Sequence, residues 1–281
     1  MFRVEAEQHI FVVRIFRQPS TQAAQKLLWI EEQLSQRGVA HAKIIHITAT
    51  HPVFKNGWML QEFVVGVSGW DYMQGTQKLP EFYEKLGRVL AQIHAIPLER
   101  FGDINNGKGE HKHYIAANER YVHTVVEKLK SVITLPADCE AKMVQELGRL
   151  RAIESKLKPV LVHTDANPGN CIVTPEGELV LIDWDNARGL FWVQDVAYLT
   201  ATEKYREAWG DFREDRSESI RDNFLKGHGL GEFNLEEMAL IERWSHVIQG
   251  LNWLDYLHFI QGDTVEAGKV QEIFLTELYT K

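Results

Sequence analysis

The sequence predicts an α+β protein with two lobes: a small antiparallel β-rich amino-terminal lobe over residues 1–66 and a large, mainly helical carboxy-terminal lobe over residues 67–281. Three observations predict this division. Strand-like apolar segments fill the first 65 residues, helical spacing of apolar residues begins near Glu81, and short apolar segments between residues 160 and 182 flank turn residues. Hydrophobic residues make up 44% of the chain and charged residues 25%, which excludes disordered and fibrous proteins.

The amino-terminal lobe is predicted to contain four strands and one helix. The strands are expected at Phe2–Glu5, Ile10–Phe16, Ala42–Thr48 and Trp58–Val65. Ser20 or Thr21 can cap the helix at its start and Gly38 can end it. Its inward apolar stripe consists of Ala23, Ala24, Leu27, Leu28, Ile30 and Leu34. Glu31 falls inside that stripe, which is an unusual place for a carboxylate.

The carboxy-terminal lobe is predicted to be helical except for one region after Pro159. Helices are expected from Glu81 to Pro97, over about 113–132 and 138–157, and after Asp195 to the end of the chain. Between them, Cys171–Val173 and Leu179–Ile182 flank a turn and predict a short hairpin.

Charge and cysteine content narrow the class of protein. The net charge is −8, and residues 196–281 carry sixteen Asp or Glu against nine Lys or Arg, so a mainly electrostatic nucleic-acid binder is excluded. No stretch reaches the ~20 apolar residues of a membrane helix, and the first ten residues do not resemble a signal peptide. The two cysteines, Cys139 and Cys171, suit a reducing compartment, so we expect a cytoplasmic protein.

The most informative stretch begins at His163 and ends at Asp183. Asp165 and Asn170 have the D-x-x-x-x-N spacing of kinase catalytic loops, in which the aspartate accepts a hydroxyl proton and the asparagine binds a metal ion. Asp183 follows the next apolar strand, as the second metal-binding aspartate of a kinase does. Each residue alone could be a turn former or a strand cap. Together they predict a site for phosphoryl transfer, where magnesium neutralises charge and a carboxylate orients the acceptor.

The chain resembles the aminoglycoside phosphotransferase and choline kinase family, whose two-lobed fold is protein-kinase-like. The resemblance covers most of the chain. Its specific part is the catalytic loop, and supporting parts are Val-Val-Arg14 on a strand, Trp58–Gly66 as the hinge between lobes, and Leu-Ala-Gln-Ile-His94 on a helix. The stretches Ile-Asp183-Trp-Asp185 and Gln194-Asp195-Val-Ala-Tyr-Leu complete it.

The resemblance implies roles for the catalytic-loop residues. Asp165 would be the catalytic base, His163 would brace the loop, and Asn170 and Asp183 would bind Mg²⁺. Asp195 would support the loop from behind. Asp185 could assist the metal, although a hydrogen bond to a metal ligand suits it better.

The resemblance also implies a nucleotide site between the lobes. Arg14 would contact the phosphates of ATP or GTP, and inward-facing Glu31 is predicted to be its ion-pair partner; the alternative for Glu31 is a solvated carboxylate. The backbone of Gln61–Val64, including Glu62, Phe63 and Val64, would meet the adenine edge, with Phe63 or its neighbours lining the pocket.

One feature departs from the family pattern at the amino terminus. Family members have a strand and a flexible, Gly-rich turn before the position of Phe2–Glu5, and that turn covers the nucleotide phosphates. The expectation is therefore a chain that starts upstream of Met1, an enzyme without this cover, or a degenerate binder.

The acceptor is expected to be a small hydroxylated molecule, cationic in character and aminoglycoside-, choline- or thiamine-like. Acidic and aromatic residues of the carboxy-terminal lobe suggest this charge, because they suit ion pairs and cation–π contacts. They are Glu203, Glu207, Asp211, Glu214, Asp215, Asp255 and Asp263, with Tyr198, Trp209, Trp244, Trp253 and Tyr256. The alternative for these residues is an ordinary solvated face and an ordinary core.

The predicted function is thus ATP- or GTP-dependent transfer of a γ-phosphate to an alcohol. Two alternatives remain: a catalytically degenerate kinase-like nucleotide- or ligand-binding protein, and a kinase acting on protein side chains. The second is disfavoured because residues 184–194 leave little room for an activation segment between Asp183 and Asp195.

Overall fold

The computed structural model describes residues 1–6, 9–16, 21–53, 56–74, 78–209 and 214–280, without the side chains of residues 207, 209, 214 and 215. The predicted Ser20 cap and Asp211 therefore lie outside the described residues. Within these ranges, no helix is both long and apolar enough to cross a bilayer.

The amino-terminal lobe contains the predicted sheet and helix. β4 pairs with both β2 and β3, which gives an antiparallel sheet in the order β1-β2-β4-β3. The last strand ends before the predicted Val65, because the chain leaves the sheet at Phe63. The elements are β1 (Phe2–Ala6), β2 (His9–Ile15), α1 (Thr21–Gln36), β3 (Ile44–Thr48) and β4 (Trp58–Glu62).

The buried face of α1 is rotated from the predicted one. Leu27, Ile30 and Leu34 are buried as expected, but Leu28 is 44% exposed and Lys26 is only 7% exposed. The helix packs against two surfaces rather than one, since its Lys26 side reaches the other lobe. Helical periodicity of apolar residues could not reveal this second contact, because a lysine is its centre.

The carboxy-terminal lobe is built from eight helices among the described residues. The predicted helix over 138–157 is α-helical only in its first part and continues as a 3-10 helix over Leu150–Lys156. The helices are α2 (Gly69–Tyr72), α3 (Lys78–His94), α4 (Tyr114–Leu129), α5 (Cys139–Arg149), α6 (Val193–Tyr205), α7 (Glu214–His228), α8 (Leu235–Tyr256) and α9 (Thr264–Tyr279).

Two glycines allow α3 and α7 to pack closely in this lobe. A Cβ atom on Gly87 would lie 2.2 Å from the Phe224 carbonyl oxygen, and one on Gly227 would lie 2.0 Å from the Glu84 carbonyl oxygen. Such distances are far shorter than any van der Waals contact. The pair of helices, with α6 and α8, forms a core that includes Phe82, Leu86, Phe224 and Trp244.

Two small sheets in the carboxy-terminal lobe position the predicted catalytic residues. The order of one is β6-β10-β7 and that of the other is β5-β8-β9, with β8 and β9 forming the predicted hairpin. The catalytic loop connects β7 to β8, and Asp183 follows β9. The strands are β5 (Val67–Ser68), β6 (Gly102–Asp103), β7 (Val160–Val162), β8 (Cys171–Val173), β9 (Leu179–Leu181) and β10 (Arg188–Leu190).

Candidate active site

The loop that follows β7 holds Asp165 in a strained but well-supported conformation. Thr164, the residue before it, has a φ of 62°, which β-branched residues rarely adopt. Its amide donates to Asp195 Oδ1 at 2.7 Å, and its hydroxyl donates to the Asn186 carbonyl at 2.7 Å. Backbone strain that surrounding groups hold in place is typical of functional sites.

Asp195 supports this loop from below, at the start of α6. It is fully buried, and its Oδ2 accepts from the His163 amide at 3.1 Å and lies 2.9 Å from His94 Nε2. Burial alone would raise the pKa of Asp195, but the hydrogen bond and charge of His94, together with His163, lower it below its usual value. The carboxylate is therefore ionised and can bind both loop amides.

His163 is also fully buried, and its contacts are those of a brace. Its Nε2 donates to the Ile182 carbonyl at 3.0 Å, and its Nδ1 accepts from the Asp165 amide at 3.3 Å. Burial lowers the pKa of His163 below its usual value, so the ring is neutral at pH 7. It joins the catalytic loop to the strand end before Asp183 and has no exposed surface from which to transfer a proton.

Asp165 lies at the wall of a cavity of about 510 Å³ in the carboxy-terminal lobe. Its Oδ1 accepts hydrogen bonds from Asn167 Nδ2 at 2.6 Å and from Tyr198 Oη at 2.8 Å. In the described part of the chain its Oδ2 has no hydrogen-bond partner. One carboxylate oxygen is thus fixed by two donors, while the other can face an acceptor hydroxyl.

Asn170 and Asp183 line a second cavity, of about 290 Å³, between the two lobes. Asn170 Nδ2 donates to the Asp165 carbonyl at 2.9 Å, which leaves its amide oxygen for a ligand. Asp183 has a φ of 62°, the second strained non-glycine residue of the site. An amide oxygen and a carboxylate are hard ligands of the kind that Mg²⁺ prefers, so the donor set fits this ion.

Arg14 pairs with the two acidic residues after β9 instead of the predicted Glu31. Its Nη1 donates to Asp183 Oδ1 at 3.2 Å and to Asp185 Oδ1 at 3.0 Å, and its Nη2 donates to Asp185 Oδ2. Both oxygens of Asp185 are engaged in this way, whereas Asp183 Oδ2 has no partner within the described ranges. Of the two carboxylates, Asp183 is therefore the one with an oxygen left to hold a metal ion.

Glu31 lines the same cavity as Arg14 but contacts groups of its own lobe. Its Oε1 accepts from Ser35 Oγ at 3.3 Å and lies 3.5 Å from His41 Nε2. The predicted pairing is wrong because the strand of Arg14 directs its guanidinium across the lobe boundary. Glu31 is not a solvated surface residue either, since its side chain is 24% exposed.

The residues predicted to meet the base, Glu62, Phe63 and Val64, also line this inter-lobe cavity. The ladder of β4 ends at Glu62, and the Val64 amide has no hydrogen-bond partner among the described residues. Apolar side chains such as Leu34 and Ile172 cover the space between. An unpaired amide beside an apolar slot suits the edge of a purine base.

Lys26 is a site residue that the sequence did not reveal. From α1 its Nζ donates to Asp103 Oδ1 at 2.9 Å and to the Asp185 carbonyl at 2.6 Å. A buried lysine needs such partners, because an unpaired buried charge is strongly unfavourable. It fastens the amino-terminal lobe to the segment that carries Asp183. The sequence predicts Tyr198 as an aromatic residue of the acceptor side but gives no signal for its hydrogen bond to Asp165.

Of the acids expected to bind a cationic acceptor, the three whose side chains the structure describes have other partners. Glu203 lies near Arg206 and Arg216, Lys128 donates to Asp255 at 2.6 Å, and Asp263 caps α9. Trp244 is fully buried and donates to Tyr114, as the core alternative required. The cavity beside Asp165 is lined instead by Tyr198, Trp253 and Tyr256, with several amide side chains. The side chains of Glu207, Glu214 and Asp215 lie outside the described parts.

Comparison with known proteins shows that one family model matches most of the chain. A sequence model described as the phosphotransferase enzyme family matches residues 1–241. A search of curated protein sequences gives no match.

Several solved structures share this fold at low sequence identity. A thermostable mutant of aminoglycoside phosphotransferase APH(4)-Ia, in ternary complex with ADP and hygromycin B, has a TM-score of 0.69 and 15% identity over 99% of this chain and 92% of that one. Choline kinase LicA from Streptococcus pneumoniae has a TM-score of 0.61 and 14% identity over 99% and 89%. A choline/ethanolamine kinase family protein from Mesorhizobium loti has a TM-score of 0.62 and 16% identity over 100% of this chain and 88% of that one. The predicted kinase-like, two-lobed fold is confirmed.

Proposed function

Because the chain belongs to the phosphotransferase enzyme family, we propose that it transfers the γ-phosphate of ATP or GTP to a hydroxyl group of a small molecule. One observation carries this proposal. Asp165 lies on the wall of one cavity and Asn170 on the wall of another, and a direct hydrogen bond from Asn170 to the Asp165 carbonyl joins them. A nucleotide site and an acceptor site thus meet at the catalytic loop.

In the proposed reaction, Asp165 orients the acceptor hydroxyl and accepts its proton as the oxygen attacks the γ-phosphorus. The bond between the γ-phosphorus and the bridging oxygen breaks, and the nucleoside diphosphate leaves. Tyr198 donates to Asp165 Oδ1 and keeps the other oxygen toward the acceptor. Burial raises the pKa of Tyr198, with the Asp165 charge acting in the same direction, so this hydroxyl remains a donor at pH 7.

The inter-lobe cavity is the proposed nucleotide site. The base would lie against Glu62, Phe63 and Val64, and Asn170 and Asp183 would hold Mg²⁺. The ion would neutralise charge on the phosphates as it does in kinases. Arg14, which already bonds the two carboxylates, can exchange one of these contacts for a phosphate oxygen. Solved structures of similar fold that contain ADP, AMP-PNP or AMP support a nucleotide as the phosphate donor.

We also propose that the lobes divide near Gly66, and that the enzyme acts in the cytoplasm, where nucleotide is plentiful and its two buried cysteines stay reduced. Val67–Ser68 pairs with β8 of the carboxy-terminal lobe, which supports the boundary.

Magnesium-dependent nucleotide binding tests the proposal against a degenerate binder. We expect ATP or GTP to raise the melting temperature of the protein only slightly without Mg²⁺ and by several degrees with it. The same protein should release ADP or GDP when a suitable alcohol is added. If nucleotide binds but no ADP or GDP is released with any hydroxylated amine, sugar or acid added as acceptor, the degenerate binder would be favoured. Absence of magnesium-dependent nucleotide binding would refute the enzyme.

A further inference from the structure

The cavity beside Asp165 has an unusual charge for a site that was expected to bind a cation. It is formed by the catalytic loop, the segment from Asn186 to Leu190, and one face each of α6 and α8. Among the described residues that line it, the charged ones are Asp165 and Arg188 alone. Asp165 is engaged in the proposed chemistry, so the charge left for recognition of the acceptor is positive.

Arg188 has no partner of its own in the described part of the chain. It begins β10, where its backbone is paired with Val162 of β7 and Asp103 of β6. Asp103, its cross-strand neighbour, instead accepts from Lys26 at 2.9 Å and from the Ile104 amide at 3.1 Å. An exposed arginine at the wall of a cavity, whose cross-strand acid is engaged elsewhere, is available to a ligand.

A second hydrogen-bond donor in the same wall lacks a partner. Gln194 Nε2 is buried and makes no hydrogen bond to any described residue, while Gln194 Oε1 accepts from Ser245 Oγ at 3.3 Å. A buried N–H group without a partner is unfavourable, and because Gln194 lines the cavity, a ligand oxygen that reached its Nε2 would satisfy this donor. Arg188 and Gln194 are therefore both hydrogen-bond donors that can bind oxygen atoms of a ligand.

The rest of the wall suits a hydroxylated ring. Ile248, Trp253 and Tyr256 provide apolar and aromatic surface, and Gln249 and Asn252 provide amides that can bond hydroxyl groups. A volume of about 510 Å³ lies within the range of small-molecule sites.

We propose that the phosphate acceptor is a polyhydroxylated molecule bearing an oxyanion, a carboxylate or a phosphate ester, and that Arg188 is the residue that selects it. This inference rests on the proposed function. Arginine binds both groups through two parallel hydrogen bonds, and a guanidinium without a counter-charge disfavours an ammonium group in the same cavity.

The experiment compares hydroxylated acceptors of different charge by release of nucleoside diphosphate. The carboxylates are D-glucuronate, D-gluconate and D-glycerate, and the phosphate esters are D-glucose 6-phosphate and glycerol 3-phosphate. D-Glucose and glycerol are neutral, and D-glucosamine, choline and kanamycin are cationic. We expect turnover within the carboxylates or the phosphate esters, and which of the two responds identifies the source of the oxyanion. A set of active compounds without an oxyanionic member would overturn the inference.

Variants of Arg188 then test the residue itself. Arg188→Gln should raise the KM of the active compound at least about tenfold, with kcat changed less, and Arg188→Lys should restore part of the loss. Arg151→Gln is the matched control, because Arg151 is 59% exposed and pairs with Glu119 outside the cavity. An unchanged KM in Arg188→Gln would contradict the role of Arg188, and melting temperatures of all variants show whether they fold.

The two proposals fail in different ways. Turnover of glucosamine, choline or kanamycin without turnover of any oxyanionic compound, and with magnesium-dependent nucleotide binding intact, would overturn the preference for an oxyanion while leaving the phosphotransferase in place. If the unaltered protein shows no magnesium-dependent nucleotide binding, the proposed phosphotransferase function itself would be refuted.

Discussion

The two cavities that meet at the catalytic loop differ in origin and in charge. The inter-lobe cavity is lined by both lobes and includes Arg14, Glu31, Glu62 and Asp183. The cavity beside Asp165 is lined by the carboxy-terminal lobe and has few charged groups. Carboxylates suit a cavity that must hold a metal ion against phosphates, whereas a nearly neutral wall lets one charged side chain decide which acceptor binds. The difference separates groups proposed to bind the nucleotide and its metal ion from the group proposed to select the acceptor, and variants in each cavity can test it.

The largest effect is expected at Asp195, which supports the loop shared by both cavities. Asp195→Ala removes a buried carboxylate and leaves His94 and two loop amides without their partner. We expect the free energy of unfolding, measured by urea denaturation, to fall by about 3–5 kcal/mol. Binding of both the nucleotide and the acceptor should be lost as well. Asp222→Ala is the control because Asp222 is 61% exposed. A variant as stable as the unaltered protein would show that the two cavities do not depend on this support.

A change confined to the inter-lobe cavity should affect the nucleotide alone. Asp183→Asn replaces the carboxylate proposed to bind Mg²⁺ and should weaken magnesium-dependent nucleotide binding by at least about 100-fold. Titration calorimetry with and without Mg²⁺ measures this. Asp255→Asn, which changes an acid paired with Lys128 away from this cavity, should bind normally. Equal binding by Asp183→Asn and the unaltered protein would place the metal elsewhere.

Acid should destabilise the protein through the histidines that pack behind both cavities. His228 lies 2.8 Å from His94, and burial, then the charge of His94, lowers the pKa of His228 to about 4 from its usual 6.5. Below pH 6.5, His228 is therefore protonated in the unfolded chain but stays neutral in the folded protein. The free energy of unfolding that is present above pH 6.5 is lost as the pH falls from 6.5 toward 4. The expected loss between pH 7 and pH 5 is about 2 kcal/mol.

Urea denaturation at the two pH values measures this loss. His94, His163 and Asp195 lie in the same cluster of side chains, so His228→Gln is needed to isolate one group, and it should reduce the pH dependence of stability. Equal pH dependence in both proteins would show that His228 is not responsible.

The smallest effect is expected from the hydroxyl that orients the proposed base. Tyr198→Phe removes the 2.8 Å hydrogen bond to Asp165 Oδ1 and should lower kcat about tenfold while nucleotide binding is retained. Tyr279→Phe is the control, because the Tyr279 hydroxyl contacts Asp138 far from the catalytic loop. A normal kcat in Tyr198→Phe would mean that Asn167 alone is enough to hold Asp165.

The inter-lobe cavity was largely predictable from the sequence because its polar residues lie in short motifs. The spacing of residues within the loop from His163 to Asn170, and in the strand before Asp183, can be recognised in a single sequence. The partner of Arg14 was not predictable, since it depends on how the two lobes meet. Lys26 was missed for the same reason: a lysine on a helix normally indicates solvent.

The acceptor cavity was much less predictable than the fold around it. Its walls combine Arg188 on a strand with residues of α6 and α8, and Arg188 and Tyr256 are 68 positions apart in the chain. Acid content over the last third of the sequence suggested a cationic ligand, but Glu203 and Asp255 have basic partners that only the folded chain reveals. Composition reports how many charges a lobe has, and packing decides which remain for a ligand.

The most direct test of the whole account is Asp165→Asn, measured with the best acceptor found and with nucleotide alone. We predict that kcat falls by about 10²- to 10⁴-fold, because the amide cannot accept the hydroxyl proton, while magnesium-dependent stabilisation by nucleotide is preserved. That result would place the chemistry at the junction of the two cavities. A kcat within a factor of about two of the unaltered enzyme would contradict it.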